Sequence, residues 1–222
     1  TYQDQCKIFS LRNKTLITKK GISISNGSSV ALNSNNELFT VDSSGGIFKS
    51  TINDKSVQQD FSPLTNDTPS KLIANNDYIY YILNGKIHRI TTDGRNHVEF
   101  STHQQDKSFD LGNITYPTDI SFKGDNLLVL QYDSIQEFEV NDITLVFTGY
   151  AIAKGKTAYN RVNGLASLAQ IEKYGDNVAI LDNAKLTIVN TNTTNPYARE
   201  NYKNYHLGNG KDLGTDLSTV TL

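Results

Sequence analysis

Tyrosine and arginine are the residues whose placement points most directly to chemistry in this chain, and that chemistry is contact with a partner. Tyr159 and Tyr197 are each followed two residues later by an arginine, Arg161 and Arg199, and Tyr116 and Tyr150 fall in comparable stretches between apolar runs. Such side chains present a large rigid surface with a polar end, which is why both types are enriched where proteins bind. The same twelve tyrosines, accompanied by no tryptophan, would serve equally well half-buried where sheets meet.

Reactive constellations are weaker. Gly149 to Thr157 reads Gly-Tyr-Ala-Ile-Ala-Lys-Gly-Lys-Thr after an apolar run, but five residues separate its glycines. A phosphate-cradling loop needs four, so that successive backbone N–H groups close around the anion. Asp182, the candidate acidic partner on a second strand, follows Thr157 by only 25 positions, too few for a helix and its crossovers. Neither ATP nor GTP is expected to bind. The four histidines, His88, His97, His103 and His206, show no HxH or HExxH spacing. They are expected to be exposed strand or loop residues that do not converge on a metal. No catalytic residue and no metal ligand set emerges from spacing alone.

What must position these residues is a unit that recurs four times. Asn35-Asn36-Glu37, Asn75-Asn76-Asp77, Gly124-Asp125-Asn126 and Gly175-Asp176-Asn177 each launch an apolar run, Leu38–Val41, Ile79–Ile82, Leu127–Leu130 and Val178–Leu181. A second turn then leads to a third strand, at 47–50, 87–90, 135–138 and 186–189. Asn84-Gly85 is the clearest of these turns, because both central residues of a type I′ hairpin need positive φ. Fourth strands are expected at 57–61, 97–101, 144–147 and 202–207. The second strands are apolar at consecutive positions, a pattern that requires burial on both faces.

Leu38, Ile79, Leu127 and Val178 are spaced by 41, 48 and 51 residues, the period of propeller blades. The expected fold is therefore all-β, a single β-propeller domain over 1–222 of four-stranded antiparallel blades. Its units are 22–62, 63–110, 111–158 and 159–212, with a composite blade from 1–21 and 213–222. Cys6 to Leu11 has third-strand character and Thr215 to Val220 first-strand character, so five blades closed by the termini are favoured over a segment of a larger ring. Closure would bring Ile8 within one or two strand spacings of Val220. With no methionine, the chain is expected to be processed or cut from something longer.

The Gly124-Asp125-Asn126-Leu127 and Gly175-Asp176-Asn177-Val178 turns, with Pro69 and Pro117 ahead of first strands, resemble NHL-type and related propeller repeats. The Trp-Asp dipeptide of WD repeats is absent. The architecture also resembles that of propeller hydrolases such as lactonases, which implies a calcium ion held by Asp, Glu and Asn from several blades. Asp119, Asn163, Asp182 and Asp216 are the candidates for that role, although β-turns select the same residue types.

Composition excludes some partners. Twenty-one basic against 23 acidic side chains give a formal charge of −2, no field for phosphate backbones, so nucleic acid is not expected. No run approaches the 18 or so apolar residues of a membrane helix, and no signal peptide is recognisable. The lone Cys6 excludes an internal disulfide. The function expected is a non-catalytic binding module or scaffold, without cofactor, for a protein partner or surface glycan. A calcium-dependent hydrolase is the alternative.

Overall fold

The strands follow the repeat. The computed structural model describes residues 4–6, 9–10, 15–16, 22–24, 29–42, 45–53, 57–59, 62–103, 114, 116–131, 134–153, 160–161, 170–182, 185–190 and 202–206. They belong to two units, Thr1–Phe100 and Ser101–Leu222.

The first unit opens with β1 (Asp4–Cys6), β2 (Phe9–Ser10), β3 (Thr15–Leu16) and β4 (Ile22–Ile24). They pair as nested antiparallel hairpins, β2 with β3 inside β1 with β4. Phe9–Ser10, within the stretch given third-strand character, pairs with Thr15–Leu16, while Cys6 of the same stretch pairs with Ile22 of β4. Ile8 and Thr215 to Val220, on which five-blade closure turns, lie outside the described residues.

Two four-stranded sheets follow. One runs β5 (Val30–Leu32), β6 (Glu37–Val41), β7 (Ile47–Ile52), β8 (Val57–Gln59), and the other β9 (Lys71–Ala74), β10 (Tyr78–Leu83), β11 (Lys86–Thr91), β12 (Val98–Glu99). Every neighbouring pair in both is antiparallel. Asn84 and Gly85 have φ of 52° and 75°, the type I′ geometry their sequence predicts. The fourth strand begins at Val98, so His97 stands just ahead of it.

The core of this unit forms where the two sheets face each other. Ala31, Phe39, Val41 and Ile47 from one pack with Leu72, Ile79, Tyr81 and Ile90 from the other. The connecting segment is stitched to β7, Ile47 N–H donating to Thr65 O at 2.9 Å and Leu64 N–H to Ile47 O at 2.7 Å. Gly46 sits at this seam with φ of 92°, and a Cβ there would stand 2.8 Å from Thr65 O.

In the second unit, β14 (Pro117–Lys123), β15 (Asn126–Gln131), β16 (Ser134–Asn141) and β17 (Thr144–Ala153) make one antiparallel sheet, and β13 (Ser101–His103) and β18 (Asn160–Arg161) both pair in parallel with β17. The last sheet is β19 (Gln170–Tyr174), β20 (Asn177–Asp182), β21 (Lys185–Asn190) and β22 (Tyr202–His206), antiparallel throughout. The segment expected to be one fourth strand at 97–101 is thus divided. Val98–Glu99 completes one sheet, and Ser101 onward joins another.

The second strands β6, β10 and β15 are buried at consecutive positions. In β20 burial alternates instead, with Val178 and Ile180 buried, Ala179 half-buried and Leu181 36% exposed, so the two-faced burial expected of Val178–Leu181 is not met there. Ile79, Leu128, Val129 and Ile180 each have 0% of their surface exposed. Burying each such side chain contributes about 1.5–3 kcal/mol.

Hydrogen bonds at the repeat spacing tie one sheet's first strand, or the turn that follows it, to the corresponding part of the next. In the first unit Asn33 Nδ2 donates to Asn75 O at 3.2 Å, and Ser34 Oγ to Asn76 Oδ1 at 2.6 Å. In the second, Asp119 Oδ2 accepts from Ile171 N–H at 2.8 Å, and Ser121 Oγ from Lys173 N–H at 3.1 Å.

Two substitutions test this organisation. Val129→Asp places a charge in a site closed on both faces and should abolish soluble expression; soluble protein with unchanged thermal stability would reject the register. Asp119→Ala leaves the Ile171 N–H buried without its acceptor and should cost about 1–3 kcal/mol in urea unfolding. A loss below a few tenths would show that the link is not structural.

Candidate functional site

Strand register gathers part of the sequence-predicted surface at one end of one sheet. Pro117, Gln131, Ser134, Ala153 and Arg161 are successive cross-strand partners along β14, β15, β16, β17 and β18. This row spans about 19 Å, four strand spacings. Tyr116 precedes Pro117 at one end of the row and is 66% exposed. Arg161 ends the row on β18, and Tyr150, expected in a segment between blades, instead lies on β17 three residues before Ala153, because the fourth strand expected at 144–147 continues to Ala153. Tyr159, Tyr197 and Arg199 lie outside the described residues.

The row is anchored from beneath by polar side chains. Gln131, Ser134 and Gln136 are buried, and Gln136 Nε2 donates to Ser134 Oγ at 3.0 Å. On the sheet's other face Glu137, also buried, accepts from Lys123 Nζ at 2.5 Å and Asn126 Nδ2 at 2.7 Å. This carboxylate is held as an internal strut.

The candidate calcium ligands are placed differently. Asp119 is 2% exposed, and its two oxygens accept from the backbone N–H groups of Ile120 at 2.9 Å and Ile171 at 2.8 Å. It joins two sheets and does not present a free carboxylate. Asp182 ends β20; Asn163 and Asp216 lie outside the described residues. Gly149 to Ala153, the start of the glycine-containing segment, continue strand β17, so their backbone is extended where a phosphate loop would curl.

The histidine expectation needs correcting, because two of the four converge. Tyr81 and His88 are cross-strand partners on β10 and β11, which sets their rings in a stack with centroids 5.3 Å apart. His97 reaches them from the segment ahead of β12. Its Nε2 lies 2.9 Å from Tyr81 Oη and 3.2 Å from His88 Nδ1. Tyr81 O–H donates to Asp67 Oδ2 at 2.7 Å. His88 is 5% exposed and Tyr81 0%, whereas His97 is open to solvent. The four groups form a channel of polar contacts from the core to the surface.

Proton accounting fixes the tautomers. Tyr81 has one proton and gives it to Asp67, so its oxygen accepts from His97 Nε2–H. His88 Nδ1 then faces an N–H and must itself be bare, which puts its proton on Nε2. Burial, then the neighbouring His97, push the His88 pKa below its ordinary value, against smaller opposing effects of Glu99, Asp67 and a backbone bond at Leu83. Burial and the Asp67 carboxylate push the Tyr81 phenol far up, so it stays protonated and remains a donor.

Sequence spacing did not reveal this group because its members come from four segments. The available signal was a histidine at the third strand position directly opposite a second-strand tyrosine. On the other face of the same sheet the Arg89 guanidinium lies over the rings of Tyr78 and Phe100, at 4.5 and 5.3 Å from their centroids. Tyr80 stacks on Phe100.

Repeated four-stranded antiparallel sheets, with first strands bonded at the repeat spacing, define a β-propeller built from blades. No protein-family model matches this sequence, and no curated protein matches it either. Solved structures do. A protein from Lactobacillus plantarum is similar at 16% identity over 90% of this chain and 61% of its own, with a TM-score of 0.53. Hsv2 from Kluyveromyces marxianus is similar at 13% identity over 93% and 65%, with a TM-score of 0.50. A chain of the mitotic checkpoint complex is similar at 12% identity over 75% and 48%, with a TM-score of 0.51. The likeness is one of fold, and this chain spans less than two thirds of the length of each. No helix among the described residues is long and apolar enough to cross a membrane.

Tyr81→Phe keeps the stacked ring and deletes only the hydroxyl that joins Asp67 to His97. Thermal or urea unfolding should show a loss of about 1–3 kcal/mol. A variant as stable as the wild type would mean that water serves both partners equally well.

Proposed function

We propose that this chain is a non-catalytic binding module, a rigid propeller scaffold that holds a protein partner through the segments between its blades. The observation that carries this reading is the row from Pro117 to Arg161. Tyr116 stands exposed at one end of it, Arg161 lies at the other, and buried side-chain and cross-sheet hydrogen bonds hold the strands between them. A rigid support lowers the entropy lost when exposed side chains are immobilised by a partner. Tyr159, Tyr197 and Arg199 are proposed as further contact residues from their sequence pattern alone. The Gly-Asp-Asn turns at 124–126 and 175–177 support an NHL-like assignment within the propeller class. A surface glycan is the second occupant this chemistry would accept, since an exposed tyrosine face packs on sugar rings as it does on protein.

A calcium-dependent hydrolase is the competing reading, and the internal use of Asp119 weighs against it. The two separate cleanly in the thermal unfolding curve. A calcium ion bound at a hundredfold its Kd would add about 2.7 kcal/mol to the native state, whereas the binding module should unfold at the same temperature with calcium or with chelator.

A photo-crosslinking residue placed at 116, and for comparison at 125 in the turn at the opposite end of the same sheet, tests the surface directly. Position 116 should yield one defined protein adduct that Arg161→Ala weakens at least several-fold. Equal or stronger adducts from 125 would place binding elsewhere and end this reading.

A further inference from the structure

We propose that His88 Nδ1 and His97 Nε2, assisted by the Tyr81 phenol oxygen, form a binding site for a zinc ion at the edge of the sheet β9–β12. Zinc bound by two imidazoles at about 2.0–2.1 Å in tetrahedral geometry holds their nitrogens about 3.3 Å apart. The two nitrogens here stand 3.2 Å apart, so an ion can replace the hydrogen bond between them with little movement of either ring. The ring planes lie within 24° of each other, with centroids 5.3 Å apart.

Three further features suit a metal ligand set. His88 is buried and stacked on Tyr81, so its ring is held in orientation before an ion arrives, as metal-bound histidines generally are. His97 needs only to carry its proton on Nδ1 instead of Nε2, an exchange through solvent that its exposure permits. Among the described residues no three His, Cys, Asp or Glu side chains converge, and the third position therefore falls to Tyr81 Oη, 2.9 Å from His97 Nε2. Water fills the fourth. Asp67 stays bonded to the tyrosine hydroxyl and adds negative charge next to the ion.

Two nitrogens and a neutral phenol make a weaker site than three imidazoles, so affinity should be moderate and the ion exchangeable. The site goes beyond the proposed partner-binding surface and does not depend on it. It lies in the first unit, whereas that surface belongs to the second.

The test uses the full chain in a Cys6→Ser background, which removes the one thiolate that would also take zinc. After chelator treatment, calorimetric titration with zinc chloride should show one site. Cobalt(II) added in its place should give the intense visible absorption of a tetrahedral complex. His97→Ala, at a solvent-exposed position and checked by its unfolding curve to be folded under the assay conditions, should weaken binding at least tenfold and remove that absorption, and His88→Gln should do the same. His103→Ala and His206→Ala should leave both readouts unchanged. Zinc affinity that survives His97→Ala, or that is lost with His103→Ala or His206→Ala, would overturn the assignment, as would wild-type protein that takes up no zinc.

Discussion

A strand that is apolar on both faces cannot lie on an open surface, and this constraint organises the described structure. Residues 79–82 and 127–130 are each buried in succession, so each needs apolar neighbours on two sides. A four-stranded sheet satisfies the backbone of its second strand from within. Its two faces are satisfied only by other sheets or connecting segments. In the first unit the solution is visible side by side, with Phe39, Val41 and Ile47 of one sheet filling the space against Ile79, Tyr81 and Ile90 of the next.

Apolar packing alone would let neighbouring sheets slide, and the polar bonds between first strands prevent it. Asn33 shows how tightly this is specified. Its Oδ1 accepts from the N–H groups of Asn35 and Glu37, and its Nδ2 donates to Glu37 Oε2 and Asn75 O. Every hydrogen-bonding position of the amide has a partner, so the turn of one sheet and the turn of the next keep a single register. Asp119 and Ser121 do the corresponding work in the second unit. In both places a directional bond to backbone sets position, while non-directional burial supplies most of the stability.

The same division separates what is structural from what is available for function. Glu37, Glu137 and Asp119 carry charge, yet each is committed to neighbours within its own unit. Among the groups that face outward are Tyr116, ahead of a first strand, and His97, ahead of a fourth. Both sit where a strand begins, a place where the backbone is anchored on one side only and a side chain can meet solvent without disturbing a ladder.

Much of the architecture was legible in the amino-acid order because it depends on near neighbours. Alternation and runs of apolar residues set the strands, and Asn84-Gly85 sets its turn through the φ values these residues tolerate. The 41- to 51-residue recurrence sets the blades. Tertiary structure alone decided which side chains meet across those distances. Nothing near His97 in sequence says that it will reach His88 and Tyr81. That contact depends on Tyr81 and His88 being opposed in register and on the segment before β12 turning over them. The division of the predicted fourth strand at Phe100, and the use of Asp119 as a link between sheets, were decided in the same way. Local conformational preference is written residue by residue, whereas convergence depends on how separate segments share the space that burial leaves them.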